Sequence, residues 1–306
     1  MTYESCDLCP RMCGVDRTAQ SLGFCGCTST VRAARSALHM WEEPCISGVN
    51  GSGTIFFSGC TLRCCFCQNY QISSEHFGKE LTVRQLADIF LRLQDKGAHN
   101  INLVTATQYL PSVIQALDLV RHQLFIPVVF NCGGYERLET IRAMDGYVDV
   151  YLPDFKYLSS ALSQAYSKAA DYFDVAGRAI TAMVNQTGAP VFEDYSGEKG
   201  SCRLIKRGVL VRHLVLPGHR DDSIKILSWI KENLPEKKYC ISLMSQYTPF
   251  YHSKDFPELN RRITTYEYNK VLDYAIKLGL TDGYMQKKSS EKEEYTPPFD
   301  LEGLDF

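Results

Sequence analysis

The chain lacks any apolar stretch long enough to cross a bilayer, since its longest hydrophobic runs are strand-sized. It also lacks charge of one dominant sign: 33 Lys and Arg stand against 35 Asp and Glu, a net charge of −2. No basic field is present to hold a polyanion or an anionic membrane, so neither nucleic acid nor a membrane is favoured as a partner. Met1-Thr-Tyr-Glu-Ser-Cys6 has neither the basic nor the apolar region of a signal peptide, and the expectation is a soluble cytoplasmic protein. No repeat at solenoid spacing occurs. With 45% hydrophobic and 22% charged residues over 306 positions, disorder as the main state is excluded and one sizeable core is expected.

What is abundant is cysteine. Thirteen cysteines in a chain expected to be cytosolic read as metal ligands better than as structural disulfides. They fall into two groups, Cys6, Cys9, Cys13, Cys25 and Cys27, then Cys60, Cys64, Cys65 and Cys67, with Cys45 between them and Cys132, Cys202 and Cys240 scattered.

Beyond the first group, short apolar runs alternate with helical patterns. Strands are expected at Thr54–Ser58, Ile101–Thr105, Ile126–Phe130, Val148–Leu152, Val209–Leu216 and Cys240–Met244. Near-continuous apolarity suits strands buried on both faces of a parallel sheet. Thr82 with Gln85 and Thr264 with Glu267 read as capping boxes, residues 158–186 as helical, and Gly188–Gly208 as a hairpin insertion. Polar or special residues follow nearly every strand, and a barrel would gather them at one mouth, where an open sheet would spread them along an edge. The expected fold is therefore α/β, a partial (β/α)6 TIM-type barrel over residues 51–286. A cysteine-rich element of residues 1–50 precedes it, and a charged linker from Lys287 to Glu294 leads to a tail that packs back on the body.

Cys60-Thr-Leu-Arg-Cys64-Cys65-Phe66-Cys67 contains C-x3-C-x2-C directly after an apolar strand. Three thiolates on one loop hold three irons of a cubane and leave the fourth open to an exogenous ligand. Structural zinc is the competing reading, but its fourth ligand would be Cys65, in awkward geometry. Otherwise Cys65 is a packed thiol. In the first group, Cys6, Cys9, Cys13 and Cys25 can enclose a second metal, zinc or an iron-sulfur cluster, with Cys27 able to replace Cys25 and unliganded thiols as the alternative.

The loop, with the strand Gly53-Thr-Ile-Phe-Phe-Ser-Gly59 running into it, resembles the radical S-adenosylmethionine (SAM) superfamily. Within it, the chain is similar to the branch related to pyruvate formate-lyase activating enzyme. The resemblance is carried by Glu42-Glu-Pro-Cys-Ile-Ser-Gly48, Cys67-Gln-Asn-Tyr70, Tyr151-Leu-Pro-Asp-Phe-Lys-Tyr157, Arg212-His-Leu-Val-Leu-Pro-Gly218 and Ser242-Leu-Met-Ser-Gln-Tyr247. It implies a six-strand partial barrel, a 4Fe-4S cluster, SAM as cosubstrate, an electron donor such as flavodoxin or ferredoxin, and an anaerobic setting.

Residue roles follow from the same resemblance. Phe66 would lie near the adenine, or else fill the core. The Gly-Gly-Glu that holds the methionyl amine in relatives is replaced by Thr105-Ala-Thr-Gln108, leaving Thr107 and Gln108 as acceptors. Asp154 and Lys156 match a D-x-K signature; Lys156 would pair with the methionyl carboxylate, unless the two form a surface ion pair. Asn131, Gly133 and Gly134 would let the backbone approach the cofactor. His213 would lie near the nucleoside, or is a satisfied strand histidine. The implied activities are hydrogen abstraction from a glycine of a glycyl-radical enzyme, radical modification of another peptide or small molecule, or a non-catalytic redox sensor or scaffold.

Overall fold

The computed structural model describes residues 2–286 and 296–306. The charged run Lys287–Glu294 lies outside the described residues. Ten strands are present among them: β1 Val31–His39, β2 Ser52–Phe57, β3 Lys79–Leu81, β4 Ile101–Val104, β5 Val128–Cys132, β6 Val150–Pro153, β7 Val191–Gly197, β8 Gly200–Leu214, β9 Cys240–Met244 and β10 Gly283–Met285. Their order is β10-β9-β8-β6-β5-β4-β2-β1-β3, with β7 paired to β8 as an antiparallel hairpin. From β2 to β10 every neighbouring pair on this path is parallel and follows chain order. A doubly wound sheet reverses order at a switch point, and none occurs here, so the sheet winds in one direction as a partial barrel.

All six expected strands are found, Cys240–Met244 with its ends as expected and the other five with shifted ends. β5 starts two residues late because Pro127 has no N–H to give, and the Asp149 carboxylate accepts from Val128 N at 2.9 Å to begin the ladder. Three further strands join the sheet. β1 pairs antiparallel with β2, so the stretch read as a cysteine-rich element contributes a strand, and its Arg32 and Arg35 hid it by breaking the apolar run. β3 and β10 have three residues each, below the length at which periodicity speaks.

Both capping boxes form. Thr82 Oγ1 accepts from Gln85 N at 3.2 Å, and Glu267 accepts from Thr264 N at 2.9 Å. The first opens helix Val83–Asp95, which buries Leu86, Ile89, Phe90 and Leu93 against the sheet, about 1.5–3 kcal/mol for each large side chain. Residues 158–186 resolve into helices Ser160–Ser167 and Tyr172–Thr187.

Inside the barrel, Val129, Val150, Leu152, Leu210 and Cys240 form an apolar layer closed by Cys45 and Ile46 of the short helix Pro44–Ser47. This floor leaves the strand C-termini as the open end. The tail packs on β1, where Leu301 N donates to Ala34 O at 3.0 Å and Ser36 N donates to Glu302 O at 2.8 Å, and Leu304 is fully buried.

Candidate active site at the barrel mouth

At the C-terminal ends of the strands lies a cleft of about 250 Å3, lined by Cys60, Cys64, Cys67, Phe66, Asn131, Asp154 and Lys156 among others. Seven of the residues named from the sequence therefore share one cavity. The loop that brings the cysteines there needs a glycine at its root. Gly59 has φ +80°, and a Cβ on it would lie 2.1 Å from Cys27 Sγ. Each cleft thiol meets one donor or hydroxyl: Leu62 N is 3.4 Å from Cys60 Sγ, Ser167 Oγ 3.0 Å from Cys64 Sγ, and Ser73 Oγ 3.3 Å from Cys67 Sγ. Burial pushes all three thiols up, Cys67 to about 11, so binding a metal must displace their protons.

Cys65 is set apart. It lies in the core, its N donates to Tyr166 O and its O accepts from His252 N, both at 2.8 Å, and it does not line the cleft. Phe66 borders the cleft with its ring edge-on to Tyr157 and Tyr247, at 6.5 and 5.8 Å between centroids.

Opposite the cysteines is a charge network that sequence reasoning named only in part. Asp154 Oδ2 accepts from Lys156 Nζ at 2.5 Å and Oδ1 from Arg212 Nε at 2.9 Å. Arg212 also donates to Asn131 Oδ1 at 2.7 Å and to Glu42 Oε2 at 3.2 Å, while Asn131 Nδ2 donates to Glu42 Oε1 at 3.0 Å. Burial would neutralise these groups, but mutual pairing wins. Arg212 and Lys156 hold the Asp154 carboxyl below its usual range, and Asp154 followed by Cys64 keeps the Lys156 ammonium above its own. Beneath, burial outweighs the pull of Arg212 on Glu43 and raises its carboxyl, which accepts from Ser242 Oγ at 2.7 Å. Arg212 alternates with Leu210 and Leu214 on the interior face of β8, and a charged residue inside an apolar strand was the signal that could have found it. Glu42 gave no such signal, because only the fold brings it 170 positions along the chain to Arg212.

Three expected site residues lie elsewhere. Gln108 is behind the cysteine loop, where Nε2 donates to Ser58 O and Gly59 O at 3.0 Å and to Thr105 O at 2.7 Å. It braces the loop root. Thr107 is buried in the short 3-10 turn Thr107–Tyr109 and faces Glu136. His213 points out of the barrel, its Nδ1 2.7 Å from Phe155 O and its ring held neutral by burial. From the stretch Thr105–Gln108 it is Thr105 that lines the cleft, with φ +58°, an uncommon conformation for a β-branched residue and one that clusters at functional sites. Gly133 also lines it, and Gly134, at φ +78°, packs so closely that a Cβ would lie 2.2 Å from Asp154 O.

Residues 54–184 match the family model of the radical SAM superfamily. Over 288 residues the chain is 31% identical to Uncharacterized protein MJ0674 of Methanocaldococcus jannaschii, covering 91% of this chain and 76% of the relative. The chain belongs to the radical SAM superfamily. Among solved structures it is similar to Streptococcus suis SuiB bound to S-adenosylmethionine, at 11% identity and a TM-score of 0.49, covering 74% of this chain and 48% of SuiB. It is also similar to a domain of pyruvate-formate lyase-activating enzyme from Bacteroides vulgatus, at 11% identity and a TM-score of 0.38, covering 67% of this chain and 91% of that one. The chain spans about half the length of SuiB.

Membership makes a 4Fe-4S cluster and SAM the cofactors of this radical SAM chain. The donor set fits a cubane with one open iron, because three thiols of one loop line the cleft, while the fourth cysteine of its lining, Cys132 on β5, belongs to the outer core and has its thiol beside Glu136. Among the described residues no three His, Cys, Asp or Glu side chains stand at the spacing of a single metal ion, whereas thiolates on separate irons stand farther apart. No helix among the described residues is long and apolar enough to cross a membrane.

Proposed function

We propose that the chain is a radical SAM enzyme whose substrate is a peptide or protein, with a backbone glycine of a glycyl-radical enzyme as the first candidate. One observation carries this reading: the three loop thiols and the Asp154–Lys156–Arg212–Glu42 network face each other across one cleft. When bound, the reduced cluster supplies the electron that splits SAM into methionine and a 5′-deoxyadenosyl radical, which abstracts hydrogen. Cys60, Cys64 and Cys67 hold the cluster. Lys156 offers its ammonium to the methionyl carboxylate, while Asp154, itself anchored by Arg212, keeps that ammonium in place. Phe66 gives the nucleoside an apolar wall and limits water.

The remaining lining favours amides over charged metabolites. Every acid, lysine and arginine facing the cleft is already paired within it, and the other polar groups are uncharged, among them Gln68, Asn69, Gln246 and Thr248. With Lys156 given to the methionyl carboxylate and Arg212 held by Asp154 and Glu42, a phosphate or polycarboxylate substrate would find no further cation among the described residues of the cleft, whereas peptide N–H and C=O groups find partners. An electron donor of the flavodoxin or ferredoxin class completes the cycle. The test uses glycine-deuterated protein substrates, candidate glycyl-radical enzymes and other peptides. Deuterium in 5′-deoxyadenosine together with a glycyl radical signal supports the first candidate, and deuterium transfer without that signal supports another peptide. Transfer only from small charged metabolites overturns the reading.

A further inference from the structure

Residues 2–30 contain no helix or strand, yet Cys6, Cys9, Cys25 and Cys27 within them are buried. Turns hold the cysteines in place. Cys6 N donates to Val15 O at 3.0 Å, Gly14 N to Cys6 O at 2.9 Å, Met12 N to Cys9 O at 3.0 Å and Gly26 N to Gly23 O at 3.0 Å. So short a segment without regular structure has little core of its own, the circumstance in which a metal supplies folding energy.

An independent observation is Arg17, which is 0% exposed. Its guanidinium donates to Cys27 O at 2.9 Å, Gln108 O at 2.7 Å and Thr28 O at 2.5 Å, and it lies 4.9 Å from the Tyr3 ring centroid. Those carbonyls satisfy its N–H groups but carry no charge. Among the described residues no carboxylate pairs with it; the ionisable groups around it are Cys25, Cys6 and Cys27 together with Tyr3 and Tyr109, with Cys6 Sγ 3.7 Å from Nη1. A buried cation needs a buried anion. A thiolate provides one, and four thiolates on a metal centre leave net negative charge.

The ligands can be sorted. Cys9 neighbours both Cys25 and Cys13, and Cys13 Sγ accepts from Phe24 N at 3.3 Å. Cys27 is placed differently, its sulfur lying 3.3 Å from Cys25 O and 3.6 Å from Ser58 O, backbone carbonyls that a thiol hydrogen would satisfy and a metal-bound thiolate would not. It is wedged against Gly59, the residue before Cys60.

We propose that Cys6, Cys9, Cys13 and Cys25 hold a second, thiolate-bound metal centre whose negative charge is countered by Arg17, and that Cys27 joins this element to the root of the catalytic loop. The ligand chemistry is shared by zinc and by an iron-sulfur cluster, and since no three such side chains among the described residues stand at the spacing of a single ion, the wider-spaced cluster is favoured. The test is elemental analysis, with sulfide, of the full chain purified anaerobically as wild type and with Cys60, Cys64 and Cys67 replaced by alanine. The loop variant should retain one zinc, or the iron and sulfide of one cluster, per chain; retention of neither metal overturns the proposal. In that background Cys9→Ala should lower the retained metal at least about 10-fold while Cys27→Ser keeps it, and the reverse pattern overturns the ligand set. Arg17→Met should loosen the metal about 10- to 100-fold in chelator competition, the range seen for outer partners of metal ligands, and Arg17→Lys less so. Equal retention in both overturns the countercharge role. Should the variants fail to fold, the wild type answers alone. Metal released by a chelator should expose one titratable thiol for each of Cys6, Cys9, Cys13 and Cys25, and thiols that all react before release contradict the proposal.

Discussion

Replacing Lys156 with alanine unbalances a cleft in which Glu42 and Asp154 are matched by Lys156 and Arg212. The Lys156 side chain is 17% exposed, and without it two carboxylates face one guanidinium. An anionic group of the cosubstrate then loses its partner and meets net negative charge. A unit pair at about 4 Å is worth about 4 kcal/mol at an effective dielectric of about 20, but hydrogen bonds to charged groups cost only about 1.5–3 kcal/mol when removed. The smaller range governs, since Asp154 at 2.5 Å already holds the ammonium. About 2 kcal/mol corresponds to an approximately 30-fold rise in Kd for SAM. Equilibrium dialysis of SAM against cluster-loaded wild type and variant measures it, with iron content as the control. A Kd within about threefold of wild type, which is less than 1 kcal/mol, would refute the assignment of Lys156 to the cosubstrate.

Cys65→Ala should keep the cluster and Cys64→Ala should abolish it, read by iron content and visible absorbance; the opposite result would sink the assignment of the loop. Arg212→Ala leaves Asp154 and Glu42 sharing one lysine and should cost about 3–5 kcal/mol in chemical denaturation, with Arg212→Lys rescuing little because it cannot span Asn131, Glu42 and Asp154 together. A loss below about 1 kcal/mol would show that the network is not buried in solution. Glu267 is held well below the usual carboxylate range by Arg261, which donates to it at 2.7 and 2.8 Å, with Thr264 and Gly218 N–H groups adding to the effect. A lowered folded pKa means that this stabilisation is present above the ordinary glutamate value, about 4.3, and fades as pH falls toward the lower folded value. Glu267→Ala should therefore cost about 2 kcal/mol near neutral pH, a figure kept low because the Arg261 side chain is 40% exposed, and less in strong acid. Equal destabilisation in both conditions would contradict the linkage.

Much of this architecture was legible from local pattern. Parallel strands buried on both faces announce themselves as apolar runs, and capping boxes at Thr82 and Thr264 marked two helix starts correctly. The cysteine loop was legible because its ligands are close in sequence. What escaped depended on long-range contact. β1 carries arginines on its outer positions, and Arg35 is explained only by Asp300 and Glu302 of the tail. Glu42 gains meaning only beside Arg212. For Thr107, Gln108 and His213, being near a strand end or on a strand does not say which way a side chain points. Alternation on β8 sends Arg212 inward and its neighbour His213 outward.

SAM cleavage in the cleft is the central claim. The direct measurement is 5′-deoxyadenosine, quantified by chromatography after cluster-loaded, dithionite-reduced protein is incubated with SAM alone under anaerobic conditions. Slow formation of the nucleoside together with methionine, dependent on Cys60, Cys64 and Cys67, is the predicted result. A fully loaded cluster that yields none, with or without peptide and glycyl-radical partners, would contradict the account and leave an iron-sulfur scaffold or sensor in its place.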